Sequence, residues 1–263
     1  MLFGMPTLIE NRTLEESAVL CRELKLDFVE INMNLPQYQL PQIDALELER
    51  IGKEYGIFYT IHLDENLDIS DFNPYIAQGY LRTVVETIAL AKKLGIPVLN
   101  MHLSRGVYFT LPDQKVFLFD QYSKEYFKSI ECFRQLCEKE IGASGIKICI
   151  ENCSGFTEFQ KKALHILLQS PVFGLTFDIG HDHSSGNVDN LFITENQGRL
   201  CHMHMHDALG KKNHLPLGTG EVDLEACLTL AENHNCRVVL ETKTIDGLKQ
   251  SVKWLRAKRS ILK

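Results

Sequence analysis

The chain contains 263 residues, 44% of them hydrophobic and 24% charged, which is ordinary for a globular protein with a large core. Its formal net charge of −6 argues against nucleic acid as the main partner, because nucleic-acid-binding proteins usually carry a basic face. The N-terminus lacks a signal-peptide pattern, no apolar run reaches the roughly 18 residues of a membrane span, and the cysteines form no CxxC pair, so we expect a cytoplasmic protein with reduced thiols and no membrane partner.

Short apolar runs alternate with amphipathic segments through the first half of the chain. Thr13, with Glu16 three residues later, has the pattern of a capping box, and Gly56 and Gly95 are typical of helix ends. The segment 104–121 is long for a connection, which favours a lid or a substrate-binding loop. The predicted strands are Leu2–Met5, Leu26–Met33, Ile57–Leu63 and Pro97–Leu103, and the predicted helices are Thr13–Leu24, Ile43–Tyr55 and Pro74–Leu94.

The alternation continues to the C-terminus. Further strands are predicted at Ile146–Asn152, up to Asp178, from Cys201 and at Arg237–Lys243, and further helices at Tyr122–Ile141, Phe159–Gln169, Val188–Asn196, Leu224–Asn233 and Asp246–Arg259. Eight strands, each followed by a helix and with no linker between units, predict a single (β/α)₈ TIM barrel domain over residues 1–263. A doubly wound open sheet is the alternative, but no glycine-rich phosphate loop follows the first strand.

Polar side chains stand where the predicted strands end. In a parallel barrel these ends meet at one face, where the active sites of this fold are built. Any one of these residues alone would be an ordinary hydrogen-bonded or ion-paired group, but their convergence favours a divalent-metal site, because buried carboxylates without a cation repel one another. The residues are His62, His102, Glu151, Asp178 with His181, His204 with His206, and Glu241.

Five segments together resemble the xylose-isomerase-like TIM barrels, a superfamily that includes sugar isomerases and epimerases, inosose dehydratases, hydroxypyruvate isomerases and endonuclease IV (AP endonuclease family 2). The resemblance extends from the second strand onward, and its motifs are specific for the superfamily rather than for a substrate. The segments are IEN at Glu151, FDIGH at Asp178 to His181, MHMHD at His204, NHLPLGTGEVD at His214, and VLETK at Glu241.

The resemblance implies one divalent ion, Mn²⁺, Zn²⁺, Co²⁺ or Mg²⁺, held by Glu151, Asp178, His204 and Glu241. It also implies that Glu151 and Glu241 are the catalytic pair, one removing a carbon-bound proton and one returning it through an enediolate-like intermediate of a sugar or sugar phosphate. The substrate contacts would come from His62, His102, His181, His214 and Lys212. A second metal at His62 and His102, beside Glu151, is the alternative use of those two histidines.

Two other activities stay open at this point. An endonuclease IV-like phosphodiester hydrolase at abasic DNA sites would use three zinc ions, with His181 and His214 holding the third. That family has an aspartate where this chain has Lys212, a cation in place of an anionic ligand. An inosose-dehydratase-type lyase would share the four-residue cage. Within the histidine-rich strand we expect His202 to lie deeper in the barrel and His206 to lie at the rim, and a homo-oligomer is left open.

Overall fold

The computed structural model describes residues 1–261, with side chains up to residue 258. Within them, eight parallel strands close into a barrel, each hydrogen-bonded to its neighbours in chain order, with the last strand pairing back to the first. This confirms the predicted (β/α)₈ barrel. Across these residues no helix combines the length and the apolar character needed to cross a membrane. The barrel strands are β1 (Leu2–Pro6), β2 (Phe28–Asn32), β3 (Phe58–His62), β4 (Val98–His102), β5 (Lys147–Glu151), β6 (Phe173–Asp178), β7 (Leu200–Met205) and β8 (Arg237–Leu240).

The helices that surround the barrel begin and end where their capping residues require. The Thr13 hydroxyl accepts a hydrogen bond from the Glu16 amide, and Gly56 and Gly95 end their helices in the left-handed conformation, at φ 63° and 66°. The helices that follow β1 to β8 include Leu14–Glu23, Ala45–Tyr55, Pro74–Leu94, Ser123–Ile141, Glu158–Leu167, Asn190–Glu195, Leu224–Asn233 and Ile245–Ile261.

Phe28 closes the interior of the barrel beneath the polar residues. Its ring is fully buried and stacks on Phe58, with ring centroids 5.1 Å apart. The ring also lies directly over Gly4, where any Cβ atom would overlap it. Because side chains alternate between the two faces of a strand, Glu30 on β2 points to the same face as Phe28, one layer higher. The interior therefore has an apolar floor and a charged upper layer.

Three connections on the carboxyl side of the barrel differ from the sequence prediction. The segment 104–121 is not an irregular loop: it contains an outer hairpin, Tyr108–Thr110 paired with Lys115–Phe117, and the short helix Leu118–Gln121. A short helix, Ile179–Ser184, follows β6 directly. After β7 the chain forms an inner hairpin, Asp207–Leu209 paired with Lys212–Leu215. Strands of three or four residues are too short to show a clear alternation of apolar and polar residues, so the sequence did not predict these hairpins.

Candidate functional site

Four predicted residues meet at the carboxyl ends of neighbouring strands. Glu151 ends β5, Asp178 ends β6, His204 lies near the end of β7 and Glu241 follows β8. One ligand atom of each lies within 4.8 Å of the others. His204 Nδ1 is 3.1 Å from Glu151 Oε1 and 3.2 Å from Glu241 Oε2. It is 3.9 Å from Asp178 Oδ2. We call this group the cage.

The cage fits a divalent cation. Its three carboxylates and one imidazole are the donors that Mn²⁺, Mg²⁺, Co²⁺ and Zn²⁺ accept. Glu241 Oε2 is buried and has no hydrogen-bond partner, and a buried acceptor left alone needs a cation or an unseen donor. Against the effect of burial, His204 and His102 hold the pKa of Glu151 well below its ordinary value. His204 and Lys243 do the same to the pKa of Glu241, so both carboxylates stay ionised.

Glu30, on β2, is a buried residue of the site that the sequence prediction missed. Its Oε1 lies 2.7 Å from His204 Nε2, although the ring is not aligned for a linear hydrogen bond. Its Oε2 is 2.8 Å from His202 Nε2 and accepts a hydrogen bond of the same length from Thr60 Oγ1. His202 therefore lies deeper in the barrel, as predicted. A carboxylate behind a histidine fixes the ring so that its other nitrogen faces the metal position, here Nδ1 of His204. The signal in the sequence was a glutamate inside the otherwise apolar run LDFVEINM.

His62 and His102 converge on the second oxygen of Glu151. Their Nε2 atoms are 3.2 Å and 3.3 Å from Glu151 Oε2. His62 Nδ1 lies 2.7 Å from the Leu63 carbonyl, to which it can only donate, so in the neutral ring the Nε2 lone pair faces the carboxylate. Two acceptors in contact require a proton or a metal ion between them. Burial opposes protonation, but Glu151 raises the pKa of His62 to about 9.

The inner hairpin brings a second histidine cluster against the cage. His206, predicted at the rim, lies just past the end of β7, and its side chain is fully buried there, with Nε2 3.0 Å from Asp178 Oδ1. The hairpin folds back over it. Ring centroids are 4.2 Å apart for His206 and His214, and 5.0 Å apart for His181 and His214. Burial and the neighbouring His206 lower the pKa of His214 to about 4, so its imidazole is neutral.

Two lysines lie on this side of the barrel. Lys212, a predicted substrate contact, is exposed on the inner hairpin, and that role stays a prediction. Lys243, which the sequence analysis did not single out, places Nζ 2.7 Å from Glu241 Oε1, with about half of its side chain exposed. The sequence feature that could have identified it is the position of this lysine two residues after the glutamate in VLETK. The ammonium group occupies one oxygen of Glu241 and leaves the other facing the cage.

A cavity of about 270 Å³ opens beside the cage. Arg105 stands at its edge, where the guanidinium donates hydrogen bonds to the carbonyl groups of Ser154 and Gly155. The cavity therefore reaches the side of the cage formed by His102 and Glu151. Its lining includes Glu65, His102, Ser104, Arg105, Glu151 and Cys153.

Asp182, in the short helix after β6, gives the stability a predictable dependence on pH. The side chain is 1% exposed, and its burial raises the pKa to about 6 from an ordinary value of 3.8. The folded state thus holds this proton more tightly than the unfolded state. The resulting stabilisation is complete below about pH 4 and is lost as the pH rises through 6.

Asp182→Asn removes this titration and keeps an oxygen that can accept the 2.8 Å hydrogen bond from the Asp189 amide. Between pH 4 and pH 8, we expect the unfolding free energy of the variant, measured in urea, to rise relative to the unaltered chain by roughly 2–3 kcal/mol. A difference between the two proteins that does not change with pH would contradict the assignment.

Comparison with known proteins agrees with this geometry. The family model described as a xylose isomerase-like TIM barrel matches residues 18–258. No curated protein sequence matches at a significant level. Among solved structures, a D-tagatose 3-epimerase-like protein is similar with a TM-score of 0.78 and 23% identity over 99% of this chain and 98% of that chain. A 3-keto-D-glucoside 4-epimerase from E. coli has a TM-score of 0.75 and 16% identity over 98% and 99%.

A third similar structure is an IolI protein with a zinc atom, with a TM-score of 0.74 and 17% identity over 96% of both chains. At identities below 25% these three likenesses establish the fold and leave the reaction open. The family match covers nearly the whole chain, including all four residues of the cage. The chain belongs to the xylose isomerase-like TIM barrel family.

Proposed function

We propose that this chain is a divalent-metal-dependent isomerase or epimerase of a sugar or sugar phosphate. The observation that carries the proposal is the placement of Glu151 and Glu241 at 3.1 Å and 3.2 Å from the same nitrogen of His204. Two ionised carboxylates thus border one cation position from different strands. The similar structures named as a tagatose 3-epimerase-like protein and a glucoside 4-epimerase support a sugar substrate.

The two glutamates supply the proton transfer. A divalent ion, when bound, would polarise the substrate carbonyl and acidify the neighbouring carbon-bound proton. One ionised glutamate removes that proton to give an enediolate-like intermediate, and the other, after taking up a proton from the solvent, delivers it to the carbon; the first glutamate then releases its proton to the solvent. Each carboxylate has a second oxygen held in place, by His62 and His102 for Glu151 and by Lys243 for Glu241. This anchoring orients both groups toward the substrate.

The predicted binding residues surround the same space. We assign His181 and His214, on the inner-hairpin side, and the exposed Lys212 to the hydroxyl or phosphate groups of the substrate. His62 and His102 either contact substrate oxygens or hold a second metal ion with Glu151 Oε2, because their geometry leaves room for a cation or a proton at that oxygen. A cytoplasmic location and a homo-oligomer stay predictions.

Metal content and proton exchange together test the proposal. Elemental analysis of the purified chain is expected to find one divalent ion per chain, or two if His62 and His102 bind metal. A screen of ketoses and their phosphates in D₂O should find at least one substrate that gains deuterium at the carbon next to its carbonyl. Deuterium incorporation into none of them, with metal bound, would refute the isomerase or epimerase assignment.

An endonuclease IV-like hydrolase is the second candidate, favoured by the convergence of His62 and His102 on one oxygen of Glu151. It requires a third metal, and Lys212 is an exposed cation where an anionic ligand is needed. Three zinc ions per chain, together with cleavage of an abasic oligonucleotide, would establish it in place of the isomerase. A lyase of the inosose-dehydratase type would be recognised by a dehydrated product.

A further inference from the structure

His206 has a defined proton position. The backbone amide of His214 donates a hydrogen bond to His206 Nδ1 at 2.8 Å, and a backbone amide can only donate. Nδ1 therefore carries a lone pair, and the proton of the neutral ring is on Nε2. The 3.3 Å contact between Nδ1 and the Asp207 carbonyl cannot be a hydrogen bond in this tautomer. Although the rings of His181, His206 and His214 cluster together, His206 has no free nitrogen with which to bind a metal.

The proton on Nε2 points to Asp178. Nε2 lies 3.0 Å from Oδ1 of this cage residue and 3.2 Å from Oδ2. Asp178 Oδ1 also accepts a 2.7 Å hydrogen bond from the His181 amide. The hydrogen bond from His206 Nε2 goes to Oδ2, so each oxygen of Asp178 has a donor, and His206 holds the oxygen that faces His204 across the cage.

The surroundings of the His206 ring are shaped to hold it there. Gly180, in the helix after β6, lies against the ring so closely that any Cβ atom would overlap it. On the other side, the inner hairpin carries His214, whose Nδ1 is 3.2 Å from the carbonyl of Glu241. His214 has a φ of 54°, a strained value for a residue other than glycine, which directs its amide at His206. The His206 ring therefore connects the hairpin to Asp178, beside a second connection in which Asn213 Nδ2 lies 3.1 Å from His181 Nδ1.

We propose that His206 is a positioning residue that orients Asp178 toward the divalent ion and couples the inner hairpin to metal binding. The inference rests on the metal site of the proposed function. A change in hairpin position, such as substrate contact with His214 would cause, moves the His214 amide and is passed through His206 to Asp178. The affinity for metal and the placement of the hairpin then depend on each other, as linked equilibria must.

The test is a titration of the metal-free full-length chain with Co²⁺, followed by its visible absorption and by calorimetry. His206→Phe keeps a ring in the space beside Gly180 and removes both nitrogens, whereas His206→Gln restores an amide donor near the position of Nε2. We expect the Phe variant to bind Co²⁺ about 10–100-fold more weakly and with altered absorption bands. The Gln variant should recover most of the affinity and the bands.

His165→Phe is the matched control, because it makes the same change at an exposed position on the helix Glu158–Leu167, and its Co²⁺ affinity should equal that of the unaltered chain. If His206→Phe does not fold, as judged by circular dichroism, His206→Asn serves instead, since its shorter side chain falls short of Asp178. Unchanged Co²⁺ affinity in the folded variant would overturn the inference and leave the metal site intact. Failure of the unaltered chain to bind Co²⁺ would overturn the metal site itself, and the inference with it.

Discussion

Glu241→Gln is expected to lower the rate of proton exchange at the substrate carbon by a factor of about 10²–10⁴. The amide has almost the same shape as the carboxylate, so the chain should fold, but it cannot accept a proton. His204 and Lys243 hold the pKa of Glu241 low despite its burial, so the unaltered residue is an ionised base at neutral pH. Exchange is measured as deuterium uptake from D₂O into the ketose identified by the substrate screen.

Glu151→Gln should lower exchange at least as much, because Glu151 also faces His62 and His102 through its second oxygen. Measuring metal content together with activity distinguishes a variant that has lost a catalytic base from one that has lost a metal ligand. Glu86→Gln is the control, since Glu86 is an exposed glutamate paired with Arg82 on the helix Pro74–Leu94. Full exchange activity in both Glu151→Gln and Glu241→Gln would exclude the two-glutamate mechanism.

Glu30→Ala should destabilise the fold by about 3–5 kcal/mol, because it leaves a cavity and removes the shared acceptor of buried groups on two other strands. His202, His204 and Thr60 all contact this carboxylate. The change is measured as the free energy of unfolding in urea. Glu47→Ala, at an exposed glutamate paired with Arg50, should leave the free energy of unfolding nearly unchanged.

Glu30→Gln separates stability from metal binding. It keeps the size of the side chain and an oxygen for the Thr60 hydroxyl, but it loses the negative charge behind His204. We expect a loss of metal affinity of roughly 10–100-fold, since the carboxylate makes the imidazole a better ligand. Metal affinity equal to that of the unaltered chain would show that Glu30 acts on the fold alone.

The members of the cage were among a larger set of polar residues that the sequence places at strand ends, and the family resemblance selected these four from that set. Glu151, Asp178, His204 and Glu241 each stand at or beside the end of an apolar strand, and parallel strands bring such ends together. Glu30 escaped notice because it lies inside a strand, where the alternation of side chains alone does not say which face is the interior of a closed barrel. Which face of β2 is the interior depends on how the eight strands pair, and that pairing is a property of the closed fold.

The burial of His206 was missed for a related reason. It follows the last residue of β7, and a residue just past a strand end is ordinarily at the surface. The inner hairpin then covers it, and its strands Asp207–Leu209 and Lys212–Leu215 are too short to show a pattern. Their pairing and the left-handed backbone of His214 come from tertiary packing, which overrides local preference. Lys243 was also missed, because its role depends on the contact between its ammonium group and Glu241, which the sequence does not show.

The buried ring of Phe28, beneath the charged layer, determines from which end of the barrel solvent and substrate can enter. With Phe28 and His202 fully buried and Glu30 only 2% exposed, bulk water does not reach the charged layer from the amino end of the barrel. Among the described residues, the interior is therefore reached only from the carboxyl end of the barrel. Substrate, product and any proton exchanged with the solvent must pass through the same opening. While a sugar fills that opening, it lies between the glutamates and the solvent, so we expect their carboxyl groups to exchange protons with D₂O before the sugar binds and after it leaves.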